Sequence, residues 1–160
     1  MISDPFTGIL IAAALGSLIG LEREIHGQPA GLRTHMILAV GAALAAILSI
    51  SYSQFLSNPQ LSSDPGRIVA QVVSGVGFLG AGAIMKMGVT VKGLTTASSL
   101  WTTAIVGIAC GSKYYDVAGF TTVLVLMILT VMNYLEGILL TSYKAHTLKT
   151  TLTDRPGIIN

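Results

Sequence analysis

The chain has 160 residues, with nine Lys or Arg against seven Asp or Glu, a net charge of +2, and 10% charged beside 52% hydrophobic residues. A mean hydropathy of +0.74 exceeds what an average soluble domain shows, so a water-soluble reading would need several almost charge-free core helices. Nucleic acid is also excluded as a partner suggested by charge, because the basic residues sit at the ends of apolar runs rather than in one patch.

Five runs contain no Asp, Glu, Lys or Arg: Pro5–Leu21, Thr34–Ser63, Ile68–Met85, Gly93–Ser112 and Val117–Leu135. Each reaches the roughly 17–25 residues with which a helix crosses ~30 Å of hydrocarbon. A membrane barrel would alternate polar and apolar residues, whereas Val123–Val131 is almost uniformly apolar. The sequence therefore predicts an all-α membrane protein with five transmembrane helices, at about 6–21, 32–56, 67–85, 94–110 and 116–143, making up residues 1–145. Asp4-Pro5 reads as a cap and first-turn pair, and no basic segment precedes it, so the first helix is expected to stay rather than be cleaved. Glu22 ends that helix, and the Gly27–Gly31 turn leads into the second. Asn58-Pro59 and Asp64-Pro65-Gly66 mark a long loop, Ser57–Gly66. Lys86 and Lys92 bracket the turn between the third and fourth helices. Beyond the fifth, residues 147–152 alternate as a strand would, and Asp154-Arg155-Pro156-Gly157 reads as a turn.

Orientation follows from the basic residues. With the N-terminus outside and the C-terminus cytoplasmic, Arg23, Arg33, Lys86, Lys92, Lys144, Lys149 and Arg155 lie on the cytoplasmic side, and only Arg67 and Lys113 lie outside. This is the expected positive-inside bias.

Small residues recur at helical spacing: Ala12, Gly16 and Gly20 in the first helix, Gly41, Ala45, Ser49 and Ser53 in the second, Gly107 and Gly111 in the fourth. In lipid such faces let backbones approach closely, within one chain or between two copies. Gly75, Gly77 and Gly80 fit a GxGxxG pattern. A dinucleotide site would need a preceding strand and a water-exposed loop, so these glycines, with Gly82, read instead as packing positions or as a break that lines a solute site.

The chemistry concentrates at one end. Glu22, Arg23, Glu24, Arg33, Lys86 and Lys92 form a cytoplasmic charged cluster, which can be solvated topology charge, a salt-bridge network or, through Glu22 and Glu24, an oxygen site for Mg²⁺. The fourth helix opens with Gly93, Thr95, Thr96 and Ser98, and its N-terminus beside Lys86 and Lys92 can hold a phosphate, another anion or the two carboxylates. Ser and Thr here serve equally as interhelical hydrogen-bond partners. Arg67 and Gln71 share a face of the third helix, and Asn133 and Glu136 one of the fifth. His26, His35 and His146 lack metal-ligand spacing, Cys110 has no nearby His, and no nucleophile or zinc motif occurs, so an enzyme is not expected.

Three stretches carry a family resemblance: GSLIGLEREIHGQPAGLRTH (Gly16–His35), RIVAQVVSGVGFLGAGAIMK (Arg67–Lys86) and VKGLTTASSLW (Val91–Trp101). In this order, between these spans, they resemble the MgtC/SapB family of bacterial inner-membrane proteins over roughly residues 8–137. The family motif maps onto Glu22, Arg23, Glu24, Gly31, Leu32, Arg33, Gln71, Gly80, Gly82, Gly93, Leu94, Thr95 and Thr96. The resemblance implies a multi-pass inner-membrane domain with a regulatory or stress-adaptation role linked to magnesium limitation. It also implies F-type ATP synthase as a candidate partner, and an ACT-like cytoplasmic domain or short tail beginning at 146–160. Two classes of function follow: a module that binds a membrane partner, or a transporter or channel for Mg²⁺, protons or a small solute. The surplus of small-residue faces suggests a homodimer in the bilayer.

Overall fold

The computed structural model describes residues 5–55, 64 and 66–153, with side chains for 5–53, 64, 66–86, 88–135. Asp4, most of the loop at 57–66, the Glu136 side chain and the turn at 154–157 lie outside the described residues. Five helices follow the apolar runs: α1 (Pro5–Ile25), α2 (Leu32–Phe55), α3 (Arg67–Ala83), α4 (Leu94–Gly111) and α5 (Tyr115–Thr153). Between α3 and α4 stands a hairpin of β1 (Met85–Met87) and β2 (Thr90–Lys92). The chain forms two units, Met1–Leu126 and Met127–Asn160; α5 gives its first turns to one and the rest of its length to the other.

Helix ends follow the breakers rather than the charges. α1 runs three residues past Glu22, to Ile25, because Arg, Glu and Ile are all compatible with a helix. It stops at Gly27, whose φ is +63°. There the Gln28 N–H donates to the Arg23 carbonyl and the Gly27 N–H to the Glu24 carbonyl, both at 3.0 Å, the paired bonds of a left-handed helix cap. The hairpin corrects the expectation of purely helical structure with a third helix to 85. Met85-Lys86-Met87 and Thr90-Val91-Lys92 alternate, and Gly88, at φ +64°, opens the two-residue turn that pairs Met87 with Thr90 and Met85 with Lys92. At the other end, α5 remains helical through Thr153, where the alternation at 147–152 suggested a strand. No Gly or Pro follows Lys144 until Pro156, so nothing in between breaks the helix.

The core of the first unit is built from small residues. Ala12 of α1, Ala39 and Ala43 of α2, Val106 and Cys110 of α4, and Ala118 of α5 are buried together. A methyl group on Gly107 would collide with the Ala39 carbonyl, and one on Gly111 with the Ala43 carbonyl. On α1, Gly16 meets His35 and Ala39, and Gly20 meets Gly31 and Leu32. The small-residue faces of α1 and α4 thus pack within the chain. On α2 the alanines Ala39, Ala42, Ala43 and Ala46 are packed; of the expected face, Gly41 is exposed with open space beside it, Ala45 and Ser53 are half-buried and Ser49 is buried. The alanine stripe meets α4's glycines in register, bringing small residues together from both sides.

Candidate functional site

The packed stripe of α1 continues through Gly16, Ile19 and Gly20 to Arg23, which is 2% exposed. A buried guanidinium needs a partner, since an unpaired charge in such a site is costly. Glu22 supplies it: Arg23 Nε donates to Oε2 at 2.6 Å and Nη2 to Oε1 at 3.0 Å. His26 Nδ1 hydrogen-bonds the Glu22 backbone carbonyl at 2.8 Å and lies 3.0 Å from Oε1 of the same residue's carboxylate. Glu24 has a different task, accepting the Leu32 N–H at 2.8 Å and so capping the start of α2. Glu22 and Glu24 therefore have different hydrogen-bond partners. Among the described residues no group of three or more His, Cys, Asp or Glu is placed to hold a metal.

Behind Arg23 lies a buried polar line that sequence reasoning missed. His35 is fully buried; its Nδ1–H donates to the Gly31 carbonyl at 2.9 Å, and its Nε2 lies 3.1 Å from Ser99 Oγ on α4. The carbonyl can only accept, so Nδ1 carries a proton. The signal was legible: His35 falls on the same helical stripe as Ala39, Ala43 and Ala46. The hydroxyls of α4 largely turn back on their own helix, Ser98 to Leu94, Ser99 to Thr96, Thr102 to Ser98 and Thr103 to Ser99. Thr96 differs. Its buried Oγ1 has no hydrogen-bond partner among the described residues.

The remaining predicted residues are dispersed. Gly93, at φ +90°, joins the hairpin to α4, where any side chain would strike the Ala83 carbonyl. Thr95 is exposed beside it. Arg33, Lys86 and Lys92 are exposed, and among the described residues none has an ion pair, so the six-residue cluster separates into a buried Glu22–Arg23 pair, the Glu24 cap and three free cations. Of the α3 glycines only Gly80 contacts another helix, at Ala97, while Gly75, Gly77 and Gly82 face open space and α3 passes through all of them unbroken. Gln71 is exposed on α3 and Asn133 is half-buried in the second unit.

Among the described residues four helices are long and apolar enough to cross a membrane: Pro5–Ile25, Leu32–Ser53, Leu94–Gly111 and Tyr115–Leu135. With their charges gathered at helix ends, they define a multi-pass membrane protein. The MgtC family profile matches residues 9–138, and the chain belongs to that family. It is 44% identical over 128 residues to YhiD of Escherichia coli (strain K12), whose name proposes a magnesium transporter; the match covers 79% of this chain and 59% of that one. Protein MgtC of Salmonella typhimurium (strain LT2) is 44% identical over 118 residues, 74% of this chain and 48% of its own. The uncharacterized protein slr0014 of Synechocystis is 45% identical over 119 residues, again 74% and 48%. The chain thus matches about half to three fifths of the length of these relatives. No solved structure matches it.

Proposed function

We propose that this protein is a regulatory, non-enzymatic component of the bacterial inner membrane, linked to adaptation to magnesium limitation, and that it acts by docking a membrane partner. The observation that carries the reading is the β1–β2 hairpin, which presents Lys86, Lys92 and a fully exposed Val89 beyond the end of α3. An apolar tip flanked by cations that have no ion pair among the described residues suits a protein surface with acidic groups around an apolar pocket. In this reading α3, 17 residues long and so about 25 Å at 1.5 Å per residue, makes a fifth crossing. The N-terminus lies outside, and the hairpin and Glu22–Arg23 pair face the cytoplasm, as the basic residues favour. The F-type ATP synthase is the first partner to try, and two copies associate in the bilayer.

The YhiD name supports a second reading, transport of magnesium. The two separate in one pair of experiments. Purified protein in liposomes containing a Mg²⁺ indicator should give no flux above empty vesicles, while Lys86→Glu/Lys92→Glu should fail to restore growth at low magnesium to a strain lacking the gene. Flux that this double variant leaves intact, together with full growth, would establish the transport reading instead.

A further inference from the structure

Between α2 and α3, with Leu100 of α4 behind it, lies an open groove of about 700 Å³. Its walls are apolar, from Ile37, Val72 and Leu79, and its depth comes from Gly41 and Gly82, where a side chain would meet nothing within 4 Å. The residues of α2, α3 and α4 that line it are apolar apart from the mouth, and on the proposed five-crossing reading they lie within the bilayer. At the mouth, in the first turn of α2, stand Arg33 and Thr34. Arg33 is exposed and has no ion pair among the described residues, because the nearest carboxylate in sequence, Glu24, is engaged by the Leu32 N–H.

We infer that this groove holds one phospholipid with an anionic headgroup, its acyl chain along α2 and α3 and its phosphate on Arg33. The charge complementarity is specific. Arg33 ends a charge-free run, so it sits at headgroup depth, and its guanidinium matches the two oxygens of a phosphate. The first-turn N–H groups of α2 that follow Leu32 have no partner within the helix and favour the same anion. Size selects the occupant as well. About 700 Å³ lies in the roughly 300–1,000 Å³ range of small-molecule sites, while a helix of a second copy, about 10–12 Å across with its side chains, needs a broader face. From Arg33 to Gly41 the groove follows eight residues of α2, about 12 Å at 1.5 Å per residue, so the headgroup-proximal half of one acyl chain lies along it and the rest continues into the bilayer.

The test uses the full chain in vesicles of phosphatidylethanolamine and phosphatidylglycerol in equal parts, with a photoreactive residue at Ile37 in the groove or at Leu44 outside it. Mass spectrometry then identifies the adducts. The proposal predicts a phosphatidylglycerol adduct in excess over phosphatidylethanolamine at Ile37, and labelling in proportion to abundance at Leu44. Arg33→Glu should lower the phosphatidylglycerol excess by roughly fivefold or more, the effect of one cation at an anionic lipid surface, and Arg33→Lys should keep part of it. Gly41→Leu, which enters open space and preserves folding, should abolish the adduct. Equal labelling by both lipids at Ile37 would overturn the proposal, as would an adduct to residues 136–160 of the same chain or to a second copy. Survival of the adduct in Gly41→Leu would do the same.

Discussion

Removing the carboxylate of Glu22 while leaving Arg23 in place is the sharpest perturbation of this architecture. The two side chains are 10% and 2% exposed, and the guanidinium makes both of its observed bonds to that carboxylate. Glu22→Gln therefore leaves a buried cation without its counter-charge, a change that costs about 3–5 kcal/mol when one partner of a buried pair is lost. An exposed ion pair would cost only about 0–1 kcal/mol. Replacing both, as Glu22→Leu/Arg23→Met, removes the stranded charge with the pair and should recover most of the loss, because apolar replacements of buried pairs are often neutral or better. The assay is chemical unfolding of the purified protein in one detergent, across wild type, Glu22→Gln, Glu22→Leu, Arg23→Met and the Glu22→Leu/Arg23→Met double variant. A Glu22→Gln penalty below about 1 kcal/mol, or a double variant worse than either single one, would refute the claim that Arg23 is a buried structural charge.

Further expectations concern packing, capping and the polar line. Gly107→Leu should destabilise the protein by about 1–3 kcal/mol or more, since its first carbon already meets the Ala39 carbonyl; a thermal midpoint equal to wild type would contradict the α2–α4 register. Gly75→Ala, in open space on α3, should instead raise stability by about 0.5–1 kcal/mol, measured in the same melt. Gly27→Ala should cost roughly 1 kcal/mol because the position needs a left-handed backbone. For His35 and Ser99 a double-mutant cycle should return a coupling of about 0.6 kcal/mol, the average for hydrogen bonds between membrane helices, and no more than about 1.7; zero coupling would remove that contact.

The apolar runs located all five helices because each must satisfy its own backbone in lipid, a constraint visible without tertiary information. Their ends were less legible. Charge suggested that α1 stops at Glu22, but the backbone obeys Gly27; the length of a charge-free run reports depth in the bilayer, not where the helix stops. The hairpin escaped notice because two three-residue strands leave too short an alternation to stand out beside α3. In the candidate site, residue identity was readable while partnership was not. Nothing in Glu22-Arg23-Glu24 says that one carboxylate neutralises a buried guanidinium while the other caps α2, since that division depends on which face of α1 meets α2 and α4. The Gly16–Gly20 stripe, extended by one turn, does place Arg23 on the packed side, and the Ala39–Ala43–Ala46 stripe does the same for His35.

A photoreactive residue at Val89 tests partner docking directly. Carried in cells grown at limiting magnesium, it should give one discrete adduct with a membrane protein, and Lys86→Glu/Lys92→Glu should remove that adduct while leaving the amount of membrane-inserted protein unchanged. If Val89 reacts with lipid or water alone, or if the adduct persists at full yield in the double variant, the hairpin is not the docking element and the account fails.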